Sequence, residues 1–168
     1  MDSSLCILVA EDNDNDAFLI QRAFKNHGLV RPPYIVEDGA EAIAYIAGEA
    51  RFSDRLAFPF PNLLILDLKM PRVDGFQVLE WLKDHPDFRV VPTIIWSASV
   101  DLRDVKHAYC LGANGYLCKP SDFGEFERKL GRLLAFWEDC EKLPPPTAEF
   151  SCDPIDDRHH FTSVHKDG

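Results

Sequence analysis

The stretch "LLILDLKMPRVDG", residues 63–75, decides how this chain folds. Leu63, Leu64, Ile65 and Leu66 form a continuous apolar run, the pattern of a strand covered on both faces. The run stops at Asp67, and a Met-Pro pair and an Asp-Gly turn then lead into the helical pattern "DGFQVLEWLKDH". A buried strand can simply end at an aspartate. Asp67 is therefore either a terminus or a reactive group, and the rest of the sequence has to decide which.

Outward from this run, short apolar segments alternate with helical patterns. "LCILVA" (5–10), "PYIVE" (33–37), "NLLILD" (62–67), "PTIIWS" (92–97) and "GYLC" (115–118) read as strands. Between them, residues 14–27 place Phe18, Ile20, Ala23 and Phe24 at helical spacings, and Asp38 with Glu41 fits a capping box that opens a helix stopped at Gly48. Phe76, Leu79 and Leu82 share one helical face, as do Phe126, Leu130, Leu133 and Leu134. Five strands alternating with five helices imply right-handed crossovers and a parallel sheet with helices on both sides.

Two segments interrupt the alternation. "EARFSDRLAFPFP" (49–61) exceeds the usual connection in such units and reads as a surface insertion or a partner-contact loop. From Glu138 the chain is acidic and proline-bearing, with eight acidic against three basic residues. It therefore divides into a domain at 5–137 and an acidic tail at 138–168, too short and polar for an output domain and expected to be disordered or loosely docked. Its "DDRHH" (156–160) reads as solvated tail.

The net charge of −10 disfavours non-specific binding to nucleic acid or an anionic membrane. Five cysteines without a CxxC spacing read as reduced thiols, and no segment approaches a membrane span or a signal peptide. A cytoplasmic protein is expected.

In an open parallel sheet, ligands bind at the carboxyl ends of the strands. Those ends are Glu11 and Asp12, then Asp67, Ser97 and Lys119. Clustered carboxylates repel one another and call for a cation, and an all-oxygen set without His or Cys selects a hard ion, Mg²⁺ or Mn²⁺. Asp12 and Asp67 would bind it directly, with the Lys69 backbone carbonyl and water completing the shell. A metal, a lysine and a hydroxyl around a carboxylate make a phosphoryl site, with Asp67 as the in-line nucleophile. Asp67 is read as reactive.

The blocks "ILVAEDN", "LLILDLKMPRVDGFQVL", "IIWSAS" and "GANGYLCKP" resemble, in order and in register, the signatures of two-component response-regulator receiver domains over about residues 5–137. The resemblance implies a flavodoxin-like (βα)5 fold, a doubly wound five-stranded parallel sheet of order 2-1-3-4-5. It also implies a phosphorelay: Mg²⁺-dependent transfer of phosphate from a histidine kinase or phosphotransfer protein to Asp67. Glu11 and Asp12 would be the acidic pair, Ser97 the switch hydroxyl, Tyr116 the switch aromatic and Lys119 the conserved-type lysine. The Lys119–Pro120 bond would be cis. Such a protein catalyses only its own phosphorylation and dephosphorylation, and it signals to a downstream protein target or a second copy of itself. The 49–61 insertion is similar to that of stand-alone receivers partnering bacterial phytochromes, which would make the kinase a phytochrome.

Plainer readings stand beside these. Glu11-Asp12-Asn13 can be a helix entry with Asp14 as N-cap, Ser97 a strand-end hydroxyl, Tyr116 a half-buried strand residue and Cys118 a packed thiol. Trp96, alternating with Ser97, should point to the opposite face. Lys69 and Ser99, two residues beyond Asp67 and Ser97, sit where water would approach and would tune phosphate lifetime. A haloacid-dehalogenase-type phosphatase would need an acid where Lys69 stands. A flavodoxin-type flavin binder would have its phosphate repelled by "AEDNDND". The remaining rival is a receiver-like module that acts by binding without phosphorylation.

Overall fold

The computed structural model describes residues 5–144. Strands β1 (Ile7–Ala10), β2 (Tyr34–Val36), β3 (Leu63–Leu66), β4 (Thr93–Ser97) and β5 (Gly115–Cys118) alternate with helices α1 (Asp14–Asn26), α2 (Gly39–Ala47), α3 (Gly75–Asp84), α4 (Leu102–Cys110) and α5 (Phe123–Asp139). All strands are parallel, in the order β2-β1-β3-β4-β5. The expected fold is the one observed.

Strand alternation sorts the core into two layers. Leu8, Ala10, Leu64, Leu66 and Ile95 face α2, α3 and α4, meeting Tyr45, Ile46, Val78, Leu79 and Ala108. Ile7, Val9, Leu63, Ile65, Ile94 and Trp96 face α1 and α5, meeting Ile20, Phe24, Phe126, Leu130 and Leu134. Each strand therefore uses both of its faces for burial, which is why the sequence runs are apolar without a polar alternation. Trp96 does point away from Ser97 and packs edge-on against Phe126, at 4.9 Å between ring centres. Phe18 departs from expectation: it is 61% exposed, because Ile20, Ala23 and Phe24 already fill the buried face of α1.

The helices start where short polar side chains satisfy free backbone N–H groups, each cap contributing about 1 kcal/mol. Asp74 and Gln77 make a reciprocal capping box on α3. Asp38 caps α2 by accepting from Glu41 N at 2.8 Å, but Glu41 turns its own carboxylate to Glu37 N, so the box expected there is not closed on Asp38.

The 49–61 insertion is anchored to the domain. Arg55 donates to the carbonyls of Tyr45 (2.8 Å) and Ile46 (2.6 Å), capping the end of α2. Phe52 and Phe58 stack edge-on at 5.2 Å and both pack on Tyr45, leaving Leu56 exposed at the tip. Beyond α5, which runs to Asp139, Leu143 packs against the core and its carbonyl accepts from Asn62 Nδ2 at 3.1 Å. The remainder of the tail, including 156–160, lies outside the described residues. Among the described residues, no helix is long and apolar enough to cross a membrane.

Candidate functional site

The carboxyl edges of β1, β3, β4 and β5 bring together the residues singled out in the sequence. Val36 carbonyl accepts from Glu11 N and Ala10 carbonyl from Asp67 N, both at 3.0 Å, which extends the strand pairing by one residue and fixes where these two acids emerge. Gly75 lets α3 start directly behind Asp67: a Cβ there would lie 2.3 Å from the Asp67 carbonyl oxygen. Lys119 is held in line by its backbone N–H on the Ser97 carbonyl, at 2.8 Å.

Lys119 Nζ donates to three carboxylates: Glu11 at 2.6 Å, Asp67 at 2.7 Å and Asp16 at 2.8 Å. An ammonium has three N–H donors, so all of them are used. The lysine's side chain is 10% exposed and those of Glu11 and Asp67 are 1% and 9% exposed. The Lys119–Pro120 bond is trans, contrary to the cis bond that the family resemblance implies. The trans form is intrinsically favoured by about 0.5–1 kcal/mol, and Lys119 reaches all three carboxylates from that backbone.

Asp16 was not legible as part of the site. Asn13, rather than Asp14, is the N-cap of α1, accepting from Asn15 N at 2.9 Å and Asp16 N at 3.1 Å. That cap starts the helix so that Asp16 lies in its first turn, within reach of Lys119. An acidic residue in a first turn is ordinarily read as a complement to the helix dipole, and this hid the contact.

Carboxylate oxygens of Glu11, Asp12 and Asp67 lie within 4.8 Å of one another. Oxygens around a single Mg²⁺ are at most about 4.2 Å apart, so a small side-chain rotation closes the set. Four acids, counting Asp16, surround one lysine, which leaves a local charge of about −3 when all are ionised. The Glu11 carboxyl is pushed up to about 7, first by burial and further by Asp67, against the pull of Lys119. Burial alone would lower the Lys119 ammonium, but its bonds to Asp16, Asp67 and Glu11 outweigh this and raise it. A second cation is what this site lacks electrostatically, and the donor set fits a hard divalent ion. Lys69 is exposed, and its backbone N–H reaches Asp67 Oδ1 at 3.3 Å.

On the other side of Asp67, Ser97 is buried and its Oγ accepts from Ser99 N at 3.3 Å. Ser99 is a junction. Its Oγ donates to Asp104 at 2.5 Å, and its carbonyl accepts from the Tyr116 hydroxyl at 3.0 Å. Burial pushes the Tyr116 hydroxyl up, opposed by its bonds toward Ser99 and Ser97. Tyr116 thus already lies against the loop that follows β4. One further residue escaped the sequence reading: Arg72, whose backbone is left-handed at φ 64°, pairs with the fully buried Asp38 and ties the loop after Asp67 to the start of α2. The Gly39 N–H bond to the Val73 carbonyl, 3.0 Å, secures the same junction.

Comparison with known proteins gives a consistent picture. The model of the response regulator receiver domain family matches residues 7–130. Response regulator Rcp1 of Synechocystis sp. is 30% identical over 138 residues, covering 82% of this chain and 92% of Rcp1. The Mn²⁺-bound form of Rcp1 superimposes with a TM-score of 0.75 over 83% of this chain and 99% of that one. The phosphorylated cyanobacterial phytochrome response regulator RcpA is 31% identical with a TM-score of 0.77, covering 84% of this chain and 99% of its own. A response regulator in red light signaling of R. palustris is 34% identical, also at a TM-score of 0.77, covering 83% and 98% respectively.

Proposed function

Because this chain belongs to the response-regulator receiver family of two-component signalling, we propose that Asp67 is its phospho-accepting residue and that Glu11, Asp12 and Asp67 hold Mg²⁺ or Mn²⁺. The observation that supports this best is the bond of 2.7 Å from Lys119 Nζ to an Asp67 carboxylate that also belongs to the three-acid group. An ionised carboxylate beside a fixed ammonium is a nucleophile already oriented and in need of no separate base.

In the proposed reaction an Asp67 oxygen attacks the phosphorus of a phosphohistidine. The new P–O bond forms as the P–N bond breaks, and the imidazole leaves with its electron pair and takes up a proton from solvent. Glu11, Asp12, Asp67 and the Lys69 carbonyl would hold a divalent cation, which would supply charge neutralisation at the phosphoryl oxygens. Lys119 neutralises the same oxygens from the α1 side, and the Ser97 hydroxyl donates to them from the β4 side. Hydrolysis of the acyl phosphate resets the site, with Lys69 and Ser99 bordering the approach of water and setting the lifetime. The protein's catalysis is confined to its own phosphorylation and dephosphorylation.

The donor is a sensor histidine kinase or a phosphotransfer protein in the cytoplasm, and the resemblance to the phytochrome response regulator RcpA supports a phytochrome-type kinase. The output is a changed protein-binding surface near Ser97 and Tyr116, read by a downstream protein or a second copy.

Intact-protein mass spectrometry after incubation with acetyl phosphate tests the reading. One phosphate per chain is expected on wild type with Mg²⁺, and none without Mg²⁺ or on Asp67→Asn. A folded wild type that takes up neither phosphate nor beryllofluoride would instead support a module that acts by binding alone.

A further inference from the structure

Lys119 is engaged by one more carboxylate than the proposed reaction requires. Glu11 and Asp67 belong to the metal-holding group, but Asp16 does not, and it takes the third ammonium proton at 2.8 Å. The lysine side chain is only 10% exposed, whereas that of Asp16 is 30% exposed. Asp16 is also fixed in place, since its own N–H is tied to the Asn13 cap at 3.1 Å.

We infer that Asp16 is a positioning residue that acts through Lys119, holding part of its charge away from Asp67 and so limiting the site's affinity for a phosphoryl group. The inference rests on Asp67 being the phosphoacceptor. Its physical basis is competition for one cation. A phosphoryl group on Asp67 brings oxygens that seek the Lys119 donors, and each donor committed to Asp16 is one fewer for them. The negative charge of Asp16 adds repulsion across the same short distance. With Asp16 neutral, the ammonium keeps Glu11 and Asp67 as partners and offers its third proton to the incoming group.

The plainer account of Asp16 is that an acid in the first turn of α1 complements the helix dipole. Asp14 serves as the control. It lies in the same turn, it is exposed, and it is not one of the three acceptors of Lys119. Neutralising Asp14 removes the same formal charge without releasing the lysine.

The test is a beryllofluoride titration of the full chain at saturating Mg²⁺, with the Mg²⁺ affinity measured separately, on wild type, Asp16→Asn, Asp16→Ala and Asp14→Asn. Asparagine keeps the size of the side chain, and alanine removes any remaining acceptor. Beryllofluoride should bind about five- to tenfold more tightly to both Asp16 variants, less than a fully buried charged hydrogen bond would give because Asp16 is partly solvated. Asp14→Asn should change this affinity less than about twofold, because its charge is exposed and screened, while Mg²⁺ binding should weaken more in the Asp16 variants, in which the Lys119 ammonium beside the other acids is freed. Unchanged or weaker beryllofluoride binding in folded Asp16 variants, or an equal gain in Asp14→Asn, would overturn the inference. A folded wild type that fails to bind beryllofluoride at all would overturn both the inference and the assignment of Asp67.

Discussion

Without a divalent cation, the protein should lose stability as pH rises through the titration of Glu11. In the folded chain the Glu11 carboxyl is raised from the ordinary 4.5 to about 7, mainly by burial and then by the nearby Asp67, with Lys119 offsetting only part. Below pH 4.5 Glu11 is protonated whether the chain is folded or not, so it contributes no pH dependence. Between 4.5 and about 7 the folded chain keeps a proton that the unfolded chain has released. Stability therefore falls with pH across that window, and the loss is complete above the folded value. At about 1.4 kcal/mol per pH unit the whole window amounts to roughly 3 kcal/mol. Urea unfolding in EDTA, across the window, on wild type and Glu11→Gln isolates this group, because glutamine cannot ionise and the other titrating residues cancel in the difference. Wild type should lose about 3 kcal/mol relative to Glu11→Gln from the acid to the alkaline end. Mg²⁺ at about one hundred times its dissociation constant should return about 2.7 kcal/mol to wild type, nearly closing the gap, and less to the variant. A flat difference in EDTA would refute the reasoning. It would mean that Lys119 keeps Glu11 ionised despite burial and that the cluster does not need a second cation.

Three other substitutions probe the frame around the site. Arg72→Gly should be more stable than Arg72→Ala by about 1 kcal/mol in thermal or urea unfolding, since both lose the pairing with Asp38 but only glycine relieves the left-handed backbone. Arg55→Ala should cost about 1–3 kcal/mol by exposing the terminal carbonyls of α2, and limited proteolysis should then cut first near Leu56. Gly75→Ala places a Cβ against the Asp67 backbone carbonyl and should abolish phosphate uptake in the mass assay, even in the fraction that remains folded.

The fold was readable because the strands are short, apolar and bounded, and because α1, α3 and α5 repeat their apolar residues on one face. Leu8 and Ala10 lie in one core layer and Ile7 and Val9 in the other, so the unbroken run in β1 means double coverage and cannot be a half-exposed strand. Phe18 was misplaced because periodicity gives a stripe but not its edges. The site was readable where its residues close a strand: Glu11, Asp67, Ser97 and Lys119 meet because parallel strands end together. Contacts made from helices and loops were not readable. Asp16 and Lys119 are 103 residues apart, and Asp38 and Arg72 are 34 apart, and no local pattern links either pair. The N-cap was assigned one residue late because Asn13 and Asp14 are both competent caps, and only the backbone geometry chooses between them. The trans bond before Pro120 was equally beyond local inspection, because an X-Pro bond is bistable and the surrounding fold selects its form.

The position of Tyr116 bears on how a signal would leave the site. A simple switch has the hydroxyl at the end of β4 move toward the phosphoryl group and the aromatic fill the space it leaves. Here the Tyr116 hydroxyl is bonded to the Ser99 carbonyl, so a movement of the ring toward Ser97 would have to break that bond. What can still change is the set of bonds made by Ser99. Drawing Ser97 toward a phosphoryl group pulls on the Ser99 N–H that its Oγ accepts, and Ser99 is in turn held by Asp104 at 2.5 Å, in the first turn of α4. A charge-assisted bond of that length is worth more than the neutral bond to Tyr116, so Ser99 is held more strongly to α4 than to Tyr116. Different layers are then engaged: Lys119 and Asp16 tie Asp67 to α1, and Ser99 and Asp104 tie Ser97 to α4. A phosphoryl group on Asp67 would then act on α1 through Lys119 and Asp16 and on α4 through Ser97, Ser99 and Asp104, with the Lys119 N–H bond to the Ser97 carbonyl linking the two sides.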